Sequence, residues 1–87
     1  MTVSHVYDTY AKTANGQIVH FDVIIDEKNQ EKAMGHAKQW LENIGLENAS
    51  VEQNSCTFCH STEALPELRR QIDSRGYGIV KLEGCPT

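Results

Sequence analysis

Apolar and polar positions alternate along the first third of the chain. Val3 to Lys12 is rich in β-branched and aromatic residues. In the next run, Gln17 to Asp26, Val19, Phe21, Val23 and Ile25 fall on one side and His20, Asp22 and Asp26 on the other. That period of two belongs to a half-buried antiparallel strand. Asn15-Gly16 between the runs is a strong hairpin signal. Two registers stay open. A two-residue loop pairs Tyr10 with Phe21, Asp8 with Val23 and Val6 with Ile25, which turns Asp8 toward the core. A loop of three or five residues instead turns Val3, His5, Tyr7, Thr9 and Ala11 inward. Either way one ionisable side chain, Asp8 or His5, lies on the apolar side, where a sheet edge or a hydrogen bond can satisfy it.

The period then changes. Asp26 or Asn29 can cap a helix with Glu27 and Glu31 near its positive end, and Ala33, Ala37, Trp40, Leu41 and Ile44 form one apolar stripe. Gly45 ends it, with Leu46 placed for the apolar contact of a glycine cap. Gly35 inside this helix hints at a close contact, and His36 reads as a solvent-side neighbour. Ala49 to Thr57 reads as a weaker strand whose polarity suits a sheet edge. It hands over to a loop carrying Cys56-Thr57-Phe58-Cys59-His60. Pro66 opens a second helix with a stripe of Leu65, Leu68 and Ile72 closed by Gly76, and Tyr77 to Glu83 forms the last strand.

These elements predict an α+β fold in the order ββαβαβ: a four-stranded mixed sheet with two helices packed on one face, and residues 1–87 as a single domain. If the two strands within residues 50–83 are parallel neighbours, that unit is a right-handed crossover whose strand ends lie together. The other sheet face is then partly open to water or to another subunit.

Composition narrows the function classes. With 39% hydrophobic and 23% charged residues, the chain is that of a soluble globular domain. A net charge of −4 argues against a nucleic-acid backbone as the main partner, since phosphates need a concentrated positive face, and no nucleic-acid partner is expected. No run reaches the length of a membrane span, and no basic and apolar leader opens the chain. The expected location is the cytoplasm, where thiols stay reduced.

The candidate chemistry centres on the C-x-x-C-H run, which holds two of the three cysteines. Two thiolates at this spacing fit one tetrahedral zinc ion, and the predicted crossover would bring Cys85 beside them. The expected ligand set is Cys56, Cys59, His60 and Cys85, with His20 as another nitrogen donor. A thioredoxin-type redox pair fits less well, because the next helix starts several residues later. Haem attachment needs an exported chain. The plain reading is three reduced, partly buried thiols that act as small hydrophobes. The leading expectation is therefore a metal-binding or thiol-bearing module. A protein-binding or homodimerising domain that uses the open sheet face is the competing class. An enzyme using Asp8, His20 and Asp22 comes third, since there is no serine on a strained turn and no glycine-rich phosphate loop.

Several blocks together resemble a small bacterial family, the domain-of-unknown-function family numbered twenty twenty-four. They are Val6-Tyr7-Asp8-Thr9-Tyr10, His20-Phe21-Asp22-Val23, Ala37-Lys38-Gln39-Trp40-Leu41, Cys56-Thr57-Phe58-Cys59-His60-Ser61, Gly76-Tyr77 and Glu83-Gly84-Cys85. The resemblance covers almost the whole chain and implies one compact domain of mixed strands and helices in a bacterial cytoplasm. It brings no reaction, cofactor or partner onto these positions.

Overall fold

A computed structural model describes residues 3–46, 48–51 and 55–83. Six elements follow one another: β1 (Val3–Lys12), β2 (Ile18–Ile25), α1 (Gln30–Asn43), β3 (Cys56–Glu63), α2 (Pro66–Arg75) and β4 (Gly78–Glu83). They build the expected α+β fold in the order ββαβαβ, around one sheet with strand order β3-β1-β2-β4.

The hairpin takes the longer loop. Thr9 pairs with Phe21 and Lys12 with Ile18, which leaves residues 13–17 as the connection. A two-residue type I′ loop would need positive φ at both Asn15 and Gly16. Only Gly16 adopts it, at 86°, and no described non-glycine residue does. The Gly16 N–H donates to the Thr13 carbonyl at 3.0 Å, and the Gln17 N–H donates to Thr13 Oγ1 at 3.0 Å. Tyr7, Thr9 and Ala11 therefore face inward with Val19, Phe21, Val23 and Ile25, and Asp8 faces the other side. His5, half-buried on the inward side, shares a hydrogen bond of 2.7 Å with Ser61.

In α1 the Asn29 side chain accepts from the Lys32 N–H at 3.1 Å, which makes Asn29 rather than Asp26 the cap. At the other end Gly45 takes φ 84°, and the Leu46 N–H donates to the Leu41 carbonyl at 2.8 Å. Leu46 packs against the core as a glycine cap predicts. Gly35 makes no close approach; a Cβ there would meet nothing within 4 Å. His36 is half-buried rather than solvent-side, its ring stacked on Tyr77 at 4.7 Å.

Every strand pairing is antiparallel, and β3 and β4 occupy opposite edges. The parallel neighbours expected within residues 50–83 do not form. The hairpin leaves one open edge on each strand; β3 adds to β1 and β4 adds to β2. Strands running in the same direction are never neighbours: β2 and β3 run parallel with β1 between them and α1 as their crossover, and β1 and β4 run parallel with β2 between them. β3 also begins at Cys56, where the expected strand was to end. Ser50 makes only an isolated bridge to Lys12, and residues 52–54 lie outside the described residues. The cysteine run is thus part of an edge strand rather than a loop.

The helices divide between the two faces rather than sharing one. α1 buries Ala33, Ala37, Trp40 and Leu41 on the face of Tyr7, Ala11, Phe21 and Val23. α2 sets Ile72 and Leu68 on Val6, Ile24 and Val80, which point to the other side. The reason lies at the end of β2, where Ile24 and Ile25 are consecutive and both buried, so the strand is apolar on both faces there. Arg69 of α2 anchors the packing: its Nη1 donates to Asp26 Oδ1 at 3.1 Å, and Ser4 Oγ donates to the same oxygen at 2.8 Å. The guanidinium bond holds the Asp26 carboxyl below the usual carboxylate range. α2 covers only one end of its face. Asp8, Tyr10, Ile18, His20 and Asp22 occupy the remainder, half-buried or exposed.

Candidate metal centre

The strand β3 separates the residues that the C-x-x-C-H spacing was expected to unite. Cys56 lies opposite Thr9, wholly buried in the core beneath α1. Thr9 Oγ1 donates to its sulfur at 3.6 Å, and burial pushes the thiol up from its ordinary pKa. Phe58 follows opposite Tyr7, on the same side. The register then jumps, since His60 is opposite Val6 and Cys59 has no counterpart on β1. This is a β-bulge, one extra residue that reverses which side the following residues face. His60 consequently shares a face with Val6 and Asp8, while Cys56 points through the opposite face. Cys59 is exposed, its Sγ 3.2 Å from His60 Nδ1. Consecutive side chains of a regular strand point apart; here the bulge sets them side by side.

Cys56, Cys59 and His60 therefore do not converge on one point. Cys85 lies outside the described residues, and β4, the last described strand, occupies the edge opposite β3. The two described thiols are free and differ in access. Brief alkylation of the native protein followed by peptide mapping is expected to label Cys59 and leave Cys56 unlabelled until denaturant is added. Equal labelling of both in the native state would contradict the buried placement of Cys56.

A different group does converge. Among the described residues, Asp8, His20 and Asp22 form the one group of three metal-ligating side chains whose donor atoms lie within 4.8 Å of one another. The register explains it. Asp8 and Asp22 are direct cross-strand partners, and His20 is two residues from Asp22 on the same side of β2. His20 Nε2 contacts Asp8 Oδ1, with the two side chains 20% and 32% exposed. Tyr10, opposite His20, stacks on the imidazole with ring centroids 4.1 Å apart and planes within 10°. That stacking fixes the ring plane, so the nitrogen facing Asp8 has little freedom to swing away.

Two carboxyl groups placed directly across a ladder repel when both are ionised. The Asp22 carboxyl is pushed up from its ordinary pKa by partial burial, then by its hydrogen bond with Asp8 and by the Asp8 charge; His20 and His60 oppose the shift. A cation of charge two placed among these oxygens and the imidazole nitrogen would remove the repulsion. Carboxylate and imidazole donors together suit zinc and other divalent first-row ions. In the sequence His20 and Asp22 share one strand face, and Asp8 joins them only as part of a third-ranked enzyme reading; the register that brings the three together is not legible there.

The fold and this cluster define a small α+β sheet domain that carries a histidine and carboxylate group on the uncovered part of one sheet face. The chain belongs to the domain-of-unknown-function family DUF2024, whose family model matches residues 1–82. It is similar to the solution structure of protein NE1680 from Nitrosomonas europaea, with 48% identity and a TM-score of 0.85, over 97% of this chain and 99% of that one. No curated protein matches the chain. No helix among the described residues is long and apolar enough to cross a membrane.

Proposed function

We propose that this domain is a divalent-metal-binding module, zinc being the ion that its donors suit best, and that Asp8, His20 and Asp22 hold the ion. One observation carries the reading: two carboxylates and an imidazole from paired strands bring their donor atoms within 4.8 Å of one another. The zinc expectation drawn from the cysteines keeps its ion and changes its ligands. Cys56 is enclosed by core residues on the wrong face, and hard oxygen donors replace the thiolates. Side chains with other duties sit nearby. Val80 of β4 lies opposite Asp22, and Tyr10 stacks on the imidazole. The surface beyond is open, so the ion would keep positions for water or for an oxygen ligand from a partner.

The test is calorimetric titration of tag-free protein, stripped of metal, with zinc and separately with manganese. Saturation at about one ion per chain, with protons released on binding, is expected. Binding that stays well below one per chain for both ions, or that survives the double change Asp8→Asn and Asp22→Asn, would overturn the proposal.

A second reading is favoured by the edge strand β3, whose residues after Cys56 are all exposed and carry a single charged side chain, Glu63. An edge strand with few charges can pair with another strand, and the bulge at Cys59 restricts such pairing to the regular stretches on either side of it. Association of two chains through β3 is compatible with the metal-binding reading and would appear in sedimentation as a dimer.

A further inference from the structure

We infer that His60 is a fourth donor to the ion held by Asp8, His20 and Asp22, placed there by the bulge at Cys59. The inference rests on the metal-binding reading above and adds to it the third strand, the identity of the nitrogen and the coordination number.

The argument begins with parity. From Cys56 to Phe58 the strand follows the β1 register one for one: Cys56 opposite Thr9, Thr57 opposite Asp8, Phe58 opposite Tyr7. Continued without interruption, it would put Cys59 opposite Val6 and turn His60 to the side of α1. The extra residue shifts the pairing so that His60 takes the place opposite Val6, and Val6 points to the side of Asp8 and Asp22. Insertion of one residue thus moves an imidazole from the core side to the cluster side. Bulges often re-aim a side chain in this way beside a functional site.

Distance follows from the ladder. Asp8 and Val6 are two apart on β1, so His60 is the diagonal cross-strand neighbour of Asp8. Such neighbours have Cα atoms about 7–8 Å apart, within reach of a long side chain. The cluster is then framed by three strands, with His60 from β3, Asp8 from β1, and His20 and Asp22 from β2. His60 is exposed, so its ring can turn without disturbing the core. In the structure its Nδ1 faces Cys59 Sγ, which leaves the Nε2 end of the ring directed elsewhere. Two imidazoles and two carboxylates make a four-coordinate set that suits zinc and cobalt better than the three-donor group alone.

Cobalt makes this testable, because its visible absorption reports coordination number and its near-ultraviolet absorption reports thiolate. Metal-free wild type, His60→Ala and Cys59→Ser are each titrated with cobalt and then competed with zinc. Wild type is expected to give the intense visible bands of four-coordinate cobalt without a thiolate band. His60→Ala should bind at least about tenfold more weakly, with the weak bands of a higher-coordinate, water-filled site. Cys59→Ser should match wild type in affinity and spectrum. If His60→Ala keeps both affinity and spectrum, the inference fails while the three-donor reading stands. A thiolate band lost in Cys59→Ser would also overturn it, in favour of sulfur. Absence of cobalt and zinc binding in wild type removes both readings. Far-ultraviolet circular dichroism of each variant confirms the fold, since both positions are on the surface.

Discussion

Asp22→Asn is expected to make the metal-free protein more stable and to abolish its response to metal. The first half follows from the sign of the shift at Asp22. Its carboxyl titrates higher in the folded chain than in the unfolded one, because of burial and then of Asp8. A group shifted upward contributes its stability below the unfolded value and loses it as pH rises through the folded value. At neutral pH the ionised Asp22 therefore works against folding, and an isosteric neutral amide relieves that cost. Asp26 has the opposite sign: its carboxyl is lowered by Arg69, so its contribution persists at neutral pH and disappears on acidification. The second half follows from the loss of a ligand oxygen, which should weaken binding by at least about a hundredfold, the upper end of what losing a mere supporting partner costs. Wild type at a free ion concentration of about 100 times Kd should gain about 2.7 kcal/mol. For a domain of this size that is on the order of 10 °C in Tm. The variant should gain almost nothing. The two proteins should thus exchange rank, with Asp22→Asn melting higher without metal and wild type melting higher with it. Thermal melts monitored by circular dichroism, with chelator and with zinc, decide the matter. A variant that melts below wild type in both conditions would show that Asp22 is a structural residue and not a ligand held under repulsion.

That crossing matters because polar side chains without a ligand would not produce it. Polar positions on the open part of a sheet usually have weak, mutually compensating interactions, and replacing one changes stability little. Here two carboxyl groups face each other directly across the ladder and an imidazole is clamped against one of them by an aromatic ring. A sheet optimised only for stability would place a cation or a β-branched residue opposite Asp8. Local arrangements that oppose folding tend to mark function. The rest of this face reinforces the contrast, since near α2 it is conventional, with Val6, Ile24 and Ile72 packed and the Asp26 carboxylate fully engaged. Consistency stops where α2 stops covering the sheet.

How much of this could be read from the residues alone depends on the range of the interaction. Periods of two and 3.6 placed β1, β2, α1, α2 and β4 almost at their observed bounds, because each pattern is local and strong. Glycines marked three turns correctly: Gly16, Gly45 and Gly76 all take positive φ. Strand partners were not legible, because β3 carries few apolar residues and both edges of the hairpin were equally available to it. The assumption that consecutive strands around a helix are parallel neighbours put Cys85 beside Cys56. The sheet puts β3 and β4 at opposite edges. The site shows the same division. His20 and Asp22 were visibly on one face, but their union with Asp8 depends on a loop of five residues rather than two, and the conformation of Asn15 decides that. The side taken by His60 depends on a bulge for which the run from Cys56 to His60 offers no signal, since neither glycine nor proline marks it. Regular alternation would have assigned Cys56 and His60 to one face.

Trp40→Ala is expected to remove most of the stability of the domain. Trp40 is 4% exposed, and its ring centroid lies 4.6 Å from that of Phe21. It closes the core between α1 and the sheet with Ala37, Leu41 and Val23 around it. Truncation of a buried aromatic costs about 3–5 kcal/mol through lost transfer energy and the cavity left behind. A chain of this length has on the order of 4–13 kcal/mol in all. Urea unfolding followed by far-ultraviolet circular dichroism should show a midpoint shifted far toward zero denaturant or no cooperative transition. Leu65→Ala, at a side chain 69% exposed ahead of α2, is the control and should change stability by less than about 0.5 kcal/mol. A loss below about 1 kcal/mol at Trp40 would mean that α1 is not docked as the structure shows. The two sheet faces also make a finer demand. Trp40 and the side chains of Asp8, His20 and Asp22 lie on opposite sides of β1 and β2, so on the proposed reading a milder core change such as Trp40→Phe should lower stability while leaving zinc affinity close to wild type. If affinity fell in step with stability, the cluster would be responding to the sheet as a whole, and its geometry would belong to the packing of α1 rather than to the local register of Asp8, His20 and Asp22.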